Sequence, residues 1–353
     1  GGLFLFLLAA VLFTASNLLT PYLLHRMIGS EEVYRATMSY LDWRVYGFFF
    51  SFIAVMFRAF YVSTTNTKIL TANSVEMVLT NVVLNYILIF GKFGFPALGI
   101  AGAAIASSIS EAVSVLFFVI YTWKKIDYKK YGLFRFTRVD FRMLGQILSV
   151  SIWVMIQHGI AFGGWFIFFI AMEHLGERPL AITNVVRSIS SFLFMFVNAF
   201  ASTNSSLVSN LIGAGESDRV LPLCRRMIGL CYAFVLPIGI LIAMFPSTVL
   251  RIYTDNPDLI ASSISSLWVM LSSYLFAVPG FIYFFSVSGT GNTRRALEID
   301  MASIFVYVLY ILYVAVWLRA DVAVCWTTEY VYNIMILSSF FYLWKGNWRN
   351  KKI

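Results

Sequence analysis

The chain is short of charge. Only 12% of its 353 residues are Asp, Glu, Lys or Arg, against roughly 25% in a soluble globular domain. A chain with half the usual charge has no way to coat itself against water. The low charge and low glycine and proline content (22 and 8 residues) also exclude disordered, collagenous and coiled-coil chains. Cysteine is sparse: Cys224, Cys231 and Cys325 form no CxxC and no paired spacing, so neither a disulfide framework nor a zinc site is expected. Three histidines leave little for a metal cluster, and no metal or organic cofactor is expected. The glycine-bearing run 289–293 lacks the GxxxxGK[ST] form, so no ATP site is expected. No DDxxD or other acid cluster is present, and membrane-enzyme chemistry on a lipid or isoprenoid has nothing to stand on.

What the chain has is apolar surface. Apolar types make up 60% of it and aromatics 18%, and its mean hydropathy is +0.80. These figures describe an integral membrane protein. The net charge of +9 does not point to nucleic acid, because most basic residues sit in short gaps between long apolar runs. A spanning helix needs about 20 mostly apolar residues. Ten such segments occur, at roughly 2–25, 38–60, 69–91, 99–123, 144–172, 180–211, 222–246, 260–288, 296–318 and 322–344. The first is too long, and lacks the basic flank, for a secretory signal. The segments at 144–172 and 180–211 must tilt, bend or project, with Gly163-Gly164 and the polar run 202–206 as expected bend points.

Lysine and arginine set the orientation. Between the fourth and fifth segments lie Lys124, Lys125, Lys129, Lys130, Arg135, Arg138 and Arg142, which places that gap in the cytoplasm. Alternating from there puts 17 basic residues inside and six outside, with both ends of the chain cytoplasmic. An internal repeat underlies the pattern. PYLLHRMIG at 21–29 resembles PSTVLRIYT at 246–254, and VSTTNTK at 62–68 resembles VSGTGNTR at 287–294, at offsets of 225 and 226. Six segments separate the paired positions, an even number, so the repeats run parallel. The second unit starts near residue 143. The same offset places the start of the first about 80 to 90 residues before residue 1, or two helices. The expectation is an all-α polytopic membrane protein, with ten transmembrane helices of a two-lobe, six-plus-six parallel repeat. Its parts are a first-lobe remainder at 1–124, a basic cytoplasmic linker at 125–142 and a second lobe at 143–353.

These residues resemble a known family. NVVLNYILIFG at 81–91 followed by GFPALGIAGAAIAS at 94–107 is similar to helices five and six of multidrug and toxic compound extrusion (MATE) transporters. LVSNLIGAG at 207–215 is similar to the end of the family's helix eight, and GNTR at 291–294 to its turn before helix eleven. The resemblance runs in order from helix three to helix twelve. It implies two six-helix lobes around a central cavity, and export of amphipathic, often cationic organic compounds in exchange for H⁺ or Na⁺ by alternating access. It also implies no catalysed chemistry, a plasma-membrane location (the inner membrane in a bacterium), and small organic molecules and lipid rather than nucleic acid as partners. The chain is expected to be a monomer.

Ionisable groups inside a span are costly and mark function. In one family branch, the first-lobe cation site uses an Asn, an Asp four residues later, and a hydroxyl on the next helix. The matching positions here are Asn81, Asn85 and Ser107, with Asn85 replacing the acid. Glu111, which faces no cation evident in the sequence, joins them as a coupling candidate. Glu76 and Glu329 lie nearer segment ends and read as structural. Another branch carries acids on helices seven and ten. Here helix seven offers Gln157 and His158 and helix ten has no acid near Ala277-Val278-Pro279, so a second-lobe carboxylate site is not expected. Arg187, with Asn184 nearby, is expected to face a cavity or an acid. Gln157, His158, Asn184 and Arg187 are therefore the substrate-cavity or gating candidates. The alternative within transport, a lipid-linked oligosaccharide flippase, calls for several cavity cations, whereas only Arg187 reads as central. A ten-helix chain is expected to export little unaided. Efflux assays against a version with the two preceding helices would contradict this if the two matched.

Overall fold

The computed structural model describes residues 2–27, 31–126, 141–346 and 348, with the side chains of 2–7, 23–27, 32 and 33 outside the description. The basic linker expected at 125–142 therefore lies mostly outside the described residues. Helices account for nearly everything else, and no strand occurs among the described residues. The chain divides into two compact units, Gly1–Phe141 and Arg142–Ile353.

The first unit holds α1 (Gly2–Met27), α2 (Glu31–Arg44), α3 (Gly47–Ser63), α4 (Lys68–Phe90) and α5 (Gly99–Lys125). The second holds α6 (Phe141–Leu175), α7 (Glu177–Gly213), α8 (Val220–Met244), the short α9 (Pro246–Leu250) and α10 (Pro257–Gly289). It continues with α11 (Thr293–Ile311), which runs on into a π-helical stretch, Leu312–Trp317, then α12 (Val322–Trp326), α13 (Thr328–Leu337) and α14 (Ser339–Lys345). Among the described residues, seven helices are long and apolar enough to cross a membrane, or eight if Tyr34–Arg44 of α2 and α3, bent by 51°, count as one span. All ten expected segments are helical, the last of them as three consecutive pieces. The breaks between helices fall at other places than the expected bend points. α6 and α7 run unbroken through Gly163-Gly164 and the 202–206 run. At 35 and 37 residues and 1.5 Å of rise per residue, they are longer than the ~30 Å hydrocarbon layer. The breaks lie instead between Arg44 and Gly47, and at Thr327 and Ser338 within the last segment.

In the first unit, α5 is the element on which α2, α3 and α4 all pack. Phe118 of α5 stacks on Phe57 and Tyr61 of α3 with ring centroids 5.6 and 5.7 Å apart, and the Tyr61 hydroxyl meets Thr122 Oγ1 at 2.7 Å. At Gly102 a Cβ would stand 2.6 Å from the Leu88 carbonyl oxygen, so α4 and α5 touch through bare backbone. The outer face of α4 exposes Val75, Val78, Leu79, Val82, Val83 and Tyr86. An apolar surface of that extent is a liability in water and a match for lipid.

In the second unit, α10 is the hub, with α7, α8, α13 and α14 packed around it. Over half of its apolar window is buried inside the protein (56%), against 11% for α4. Small residues set its approach to its neighbours. A Cβ on Gly289 would lie 2.5 Å from the Ser205 carbonyl oxygen of α7, and one on Gly280 would lie 3.1 Å from the Asn333 carbonyl oxygen of α13. This is how membrane helices associate where burial from water gives no drive.

The repeat is visible in the backbone. The turn between α3 and α4 carries a left-handed residue at Thr65 (φ 59°), and the turn between α10 and α11 carries one at Gly291 (φ 78°). After α4 the chain turns left-handed at Phe93 (φ 57°), and after α11 at Arg319 (φ 48°). Both pairs are 226 residues apart, the offset at which the second sequence match closes.

Two glycine substitutions separate packing from helix propensity. Gly289→Ala places a methyl group against rigid backbone and is expected to destabilise by about 1–3 kcal/mol. Gly163→Ala meets open space and is expected to be neutral or stabilising by up to about 1 kcal/mol. Thermal melts in detergent should show only the first falling, and equal melts would contradict the close α7–α10 approach.

Candidate functional site

Two groups of polar side chains stand out among the described residues, one in each unit. In the first unit they line the seam between α4 and α5. Residues 73, 76 and 80 of α4 recur at helical spacing, and Asn81 and Asn85, four apart, follow on the adjoining side; Ser107, Ser110 and Ser114 share a face of α5. Asn73 and Ser114 pair reciprocally: the Asn73 amide donates to the Ser114 carbonyl at 3.1 Å and the Ser114 hydroxyl donates to Asn73 Oδ1 at 2.9 Å. The Asn81 amide donates to the hydroxyls of Ser107 (3.3 Å) and Ser110 (3.4 Å), while Asn81 Oδ1 accepts from Asn85 at 2.9 Å. Thr80 donates to Glu76 Oε1 at 2.9 Å. Two buried oxygens in this seam have no hydrogen-bond partner, Glu76 Oε2 and Asn85 Oδ1. Nine residues of helix separate their Cα atoms by about 13 Å, too far for both to hold one ion.

Three of the four coupling candidates, Asn81, Asn85 and Ser107, thus come together, and their polar groups largely satisfy one another. Glu111 does not stand alone, contrary to the sequence reading. Arg44, at the end of α2, donates to both of its oxygens, at 2.6 and 3.0 Å, with side chains 27% and 16% exposed. The reason lies in the break after α2. A Cβ on Gly47 would sit 2.6 Å from Glu111 Oε2 and 2.0 Å from an Arg44 nitrogen, so the fork occupies space that only a glycine leaves. Ser108 Oγ donates to the Trp43 carbonyl at 3.1 Å and ties the same break to α5. Arg187 is therefore not alone among cations within the helical segments.

In the second unit the polar groups surround a cavity of about 530 Å³. α6 supplies Gln157, His158, Trp165 and Phe169, and α7 supplies Arg187, Ser190, Phe194 and Asn198. α10 contributes Tyr274, Phe281 and Phe285, α11 Asp300 and Tyr307, and α13 Glu329, Tyr332 and Asn333. The Arg187 guanidinium lies over the Phe169 ring, 4.6 Å from its centroid. Asp300 is 1% exposed and accepts from the Tyr332 hydroxyl at 2.9 Å. Tyr274 donates to the Ser190 carbonyl at 2.7 Å. The buried Asn333 Oδ1 lacks a hydrogen-bond partner. Two carboxylates, one guanidinium and walls of Phe, Tyr and Trp make a container with a carboxylate excess and aromatic faces, the combination that suits an organic cation.

Of the four cavity candidates, Gln157, His158 and Arg187 line this space, while Asn184 is exposed and outside the lining. No carboxylate site is expected in the second lobe from sequence, because helix seven at 144–172 and the middle of helix ten carry no acid; the carboxylates that line its cavity come from α11 and α13 instead. Glu329 read as a segment-end residue because the break at Thr327 is invisible in composition. Asp300 carries a sequence signal of its own, an acid at the fifth position of the segment 296–318. No group of three or more His, Cys, Asp or Glu able to hold a metal occurs among the described residues.

A helical, multi-pass membrane architecture with a repeated backbone and an aromatic cavity is that of a solute carrier. The family model described as MatE matches residues 1–87 and 160–316. The "Probable multidrug resistance protein NorM" of Thermotoga maritima is 28% identical over 239 residues, which cover 67% of this chain and 50% of that protein. The structure described as "Crystal structure of MATE in complex with MaL6" aligns with a TM-score of 0.86 at 16% identity, over 98% of this chain and 77% of that one. A transporter of the MOP superfamily from Pyrococcus furiosus aligns equally well, with a TM-score of 0.86 at 16% identity, over 98% of this chain and 76% of that one. The chain belongs to the MatE family, a family of transporters. It spans about half the length of the curated relatives it matches.

The Arg44–Glu111 fork yields a stability test. Removing one partner leaves a largely buried charge without its mate, so Arg44→Met or Glu111→Leu is expected to cost on the order of 3 kcal/mol. The double variant should recover much of that loss. Chemical-denaturation midpoints of the three variants decide it, and additive losses would mean that the fork carries no coupling.

Proposed function

We propose that this chain is part of a secondary active transporter that exports amphipathic organic cations, with residues 1–124 in its first lobe, 125–142 a cytoplasmic linker and 143–353 its second lobe. The observation that carries the proposal is the cavity of the second unit, where Asp300 and Glu329 outnumber Arg187 and aromatic rings form the walls. Family membership and the naming of curated relatives as multidrug resistance proteins support export of organic compounds. The geometry supports the cationic class. An organic cation seated among the rings meets an uncompensated carboxylate, whereas an organic anion meets an excess of like charge. The oligosaccharide-flippase alternative fits poorly for the same reason.

Export requires that affinity differ between two states. H⁺ or Na⁺ arriving at Asp300 or Glu329 removes the charge that holds the substrate cation, which is the competition an exchanger needs. Asn81 and Ser107 then act chiefly as glue between α4 and α5, because they bond to one another, while Asn85 bonds to Asn81 along α4 and keeps a free Oδ1. The chain functions as a monomer in the plasma membrane, with its basic gaps facing the cytoplasm.

Equilibrium binding of ethidium to the purified chain, followed by fluorescence, is the direct test. Asp300→Asn combined with Glu329→Gln should weaken binding at least tenfold, Arg187→Gln should strengthen it, and Asn85→Ala should leave it within about twofold. Unaltered binding in the Asp300–Glu329 double variant would sink the reading. In proteoliposomes, imposed pH and Na⁺ gradients applied separately would name the coupling ion.

A further inference from the structure

A second concavity, of about 560 Å³, opens where the start of α11 meets α13 and α14. Its chemistry differs from that of the central cavity. Arg295 and Lys345 reach it from α11 and α14, Asn292 and Tyr342 supply polar groups, and Met335 and Phe341 are prominent on its apolar side. Among the described residues Glu298 is the only acid in its lining, and it is already shared: it pairs with Arg295 at 2.6 Å and with Arg294 at 3.4 Å. One carboxylate between two guanidiniums, with Lys345 beside them, leaves the concavity positive. The Tyr342 hydroxyl accepts from the Asn292 amide at 2.7 Å, so its own proton is available to donate to a further acceptor. Asn292 Oδ1 meanwhile caps the start of α11 by accepting from the Arg295 amide at 3.4 Å.

The position matches this chemistry. The concavity lies at the end of the unit that carries Arg294, Arg295 and Lys345, the face that the basic-residue pattern assigns to the cytoplasm. Trp344, beside Lys345, is exposed, as aromatic residues are where a membrane meets water. Basic pockets between spanning helices on that face suit anionic lipid headgroups.

We propose that this concavity binds an anionic glycerophospholipid of the bilayer. Its phosphate lies between Arg295 and Lys345 and accepts the Tyr342 proton, and an acyl chain runs down over Phe341 and Met335. The apolar side is what selects a lipid over a free anion, since inorganic phosphate gains nothing from it. The excess of basic over acidic side chains selects an anionic headgroup over a zwitterionic one.

The test is retention of lipid by the purified protein in native mass spectrometry, with phosphatidylglycerol or phosphatidylcholine supplied in detergent. Wild type is expected to retain phosphatidylglycerol at least fivefold better than phosphatidylcholine. Arg295→Gln with Lys345→Gln should abolish that preference, while Lys124→Gln with Lys125→Gln, at the end of α5, should leave it intact. Ser338→Trp fills the concavity without touching its charges and should also expel the lipid, so the result does not hang on one variant's folding. Equal retention of the two lipids, retention unchanged in both the charge and the filling variants, or equal loss in the α5 control would each overturn the proposal. Displacement by millimolar inorganic phosphate alone would overturn it in favour of a free anion.

Discussion

The close approach of α10 to α7 is the constraint on which the rest of the second unit hangs. Three polar contacts mark it: Tyr274 with Ser190, Ser286 with Asn204, and the Gly289 carbonyl with Ser209. The pairs advance together along both helices, so the two run in the same direction, as helices separated by one intervening span must. At the Gly289 end the contact is backbone against backbone. Towards the other end larger side chains intervene, and Phe281 of α10 meets Phe194 of α7 with ring centroids 4.8 Å apart. The pair stays in contact from Tyr274–Ser190 to Gly289, and it forms one wall of the cavity, which α6, α11 and α13 complete.

The two units treat their polar residues in opposite ways. In the first, Asn73 pairs with Ser114, Asn81 with Ser107 and Ser110, and Arg44 with Glu111. Such pairs fasten helices where lipid offers no hydrophobic drive, at roughly 0.6–2 kcal/mol each. In the second, Arg187 rests on an aromatic face and Asp300 has a tyrosine hydroxyl, with no opposite charge bonded to either among the described residues. Charges left without a salt-bridge partner inside a membrane protein belong where water or a ligand can reach them. On this criterion we place the proposed substrate site in the second unit, where the sequence reading puts its cavity candidates.

Much of the fold was legible because its causes are local. Ten apolar runs became ten helical segments, and the turns at 62–68 and 287–294 kept both their sequence likeness and a left-handed residue at equal offset. The bends were not legible, because α2 breaks from α3 where Gly47 makes room for an ion pair whose acid lies 67 residues away in sequence. The cavity was half legible. Arg187 announced itself by its cost, and Gln157 and His158 by their place on a matching helix. Asp300 and Glu329 come from later helices, and only tertiary packing carries them to the same space.

That packing also bears on how the proposed exchange would work. A two-state carrier moves from about 1:99 to 99:1 only if a ligand prefers one state by roughly 10⁴-fold, or about 5.5 kcal/mol. Aromatic contacts with a flat cation supply affinity but little discrimination, since rings on one unit keep their faces in either state. A carboxylate discriminates more strongly, because its attraction for a cation is steep in the dielectric around it and vanishes when a proton or Na⁺ takes its charge. Asp300 is held by Tyr332 and screened from solvent, while Glu329 is half-buried and lies in the first turn of α13, just past the helix break at Thr327. Of the two, Glu329 is the acid whose surroundings a small movement of that break would change most. On the proposed reading, the broken last span therefore couples ion arrival to the shape of the cavity.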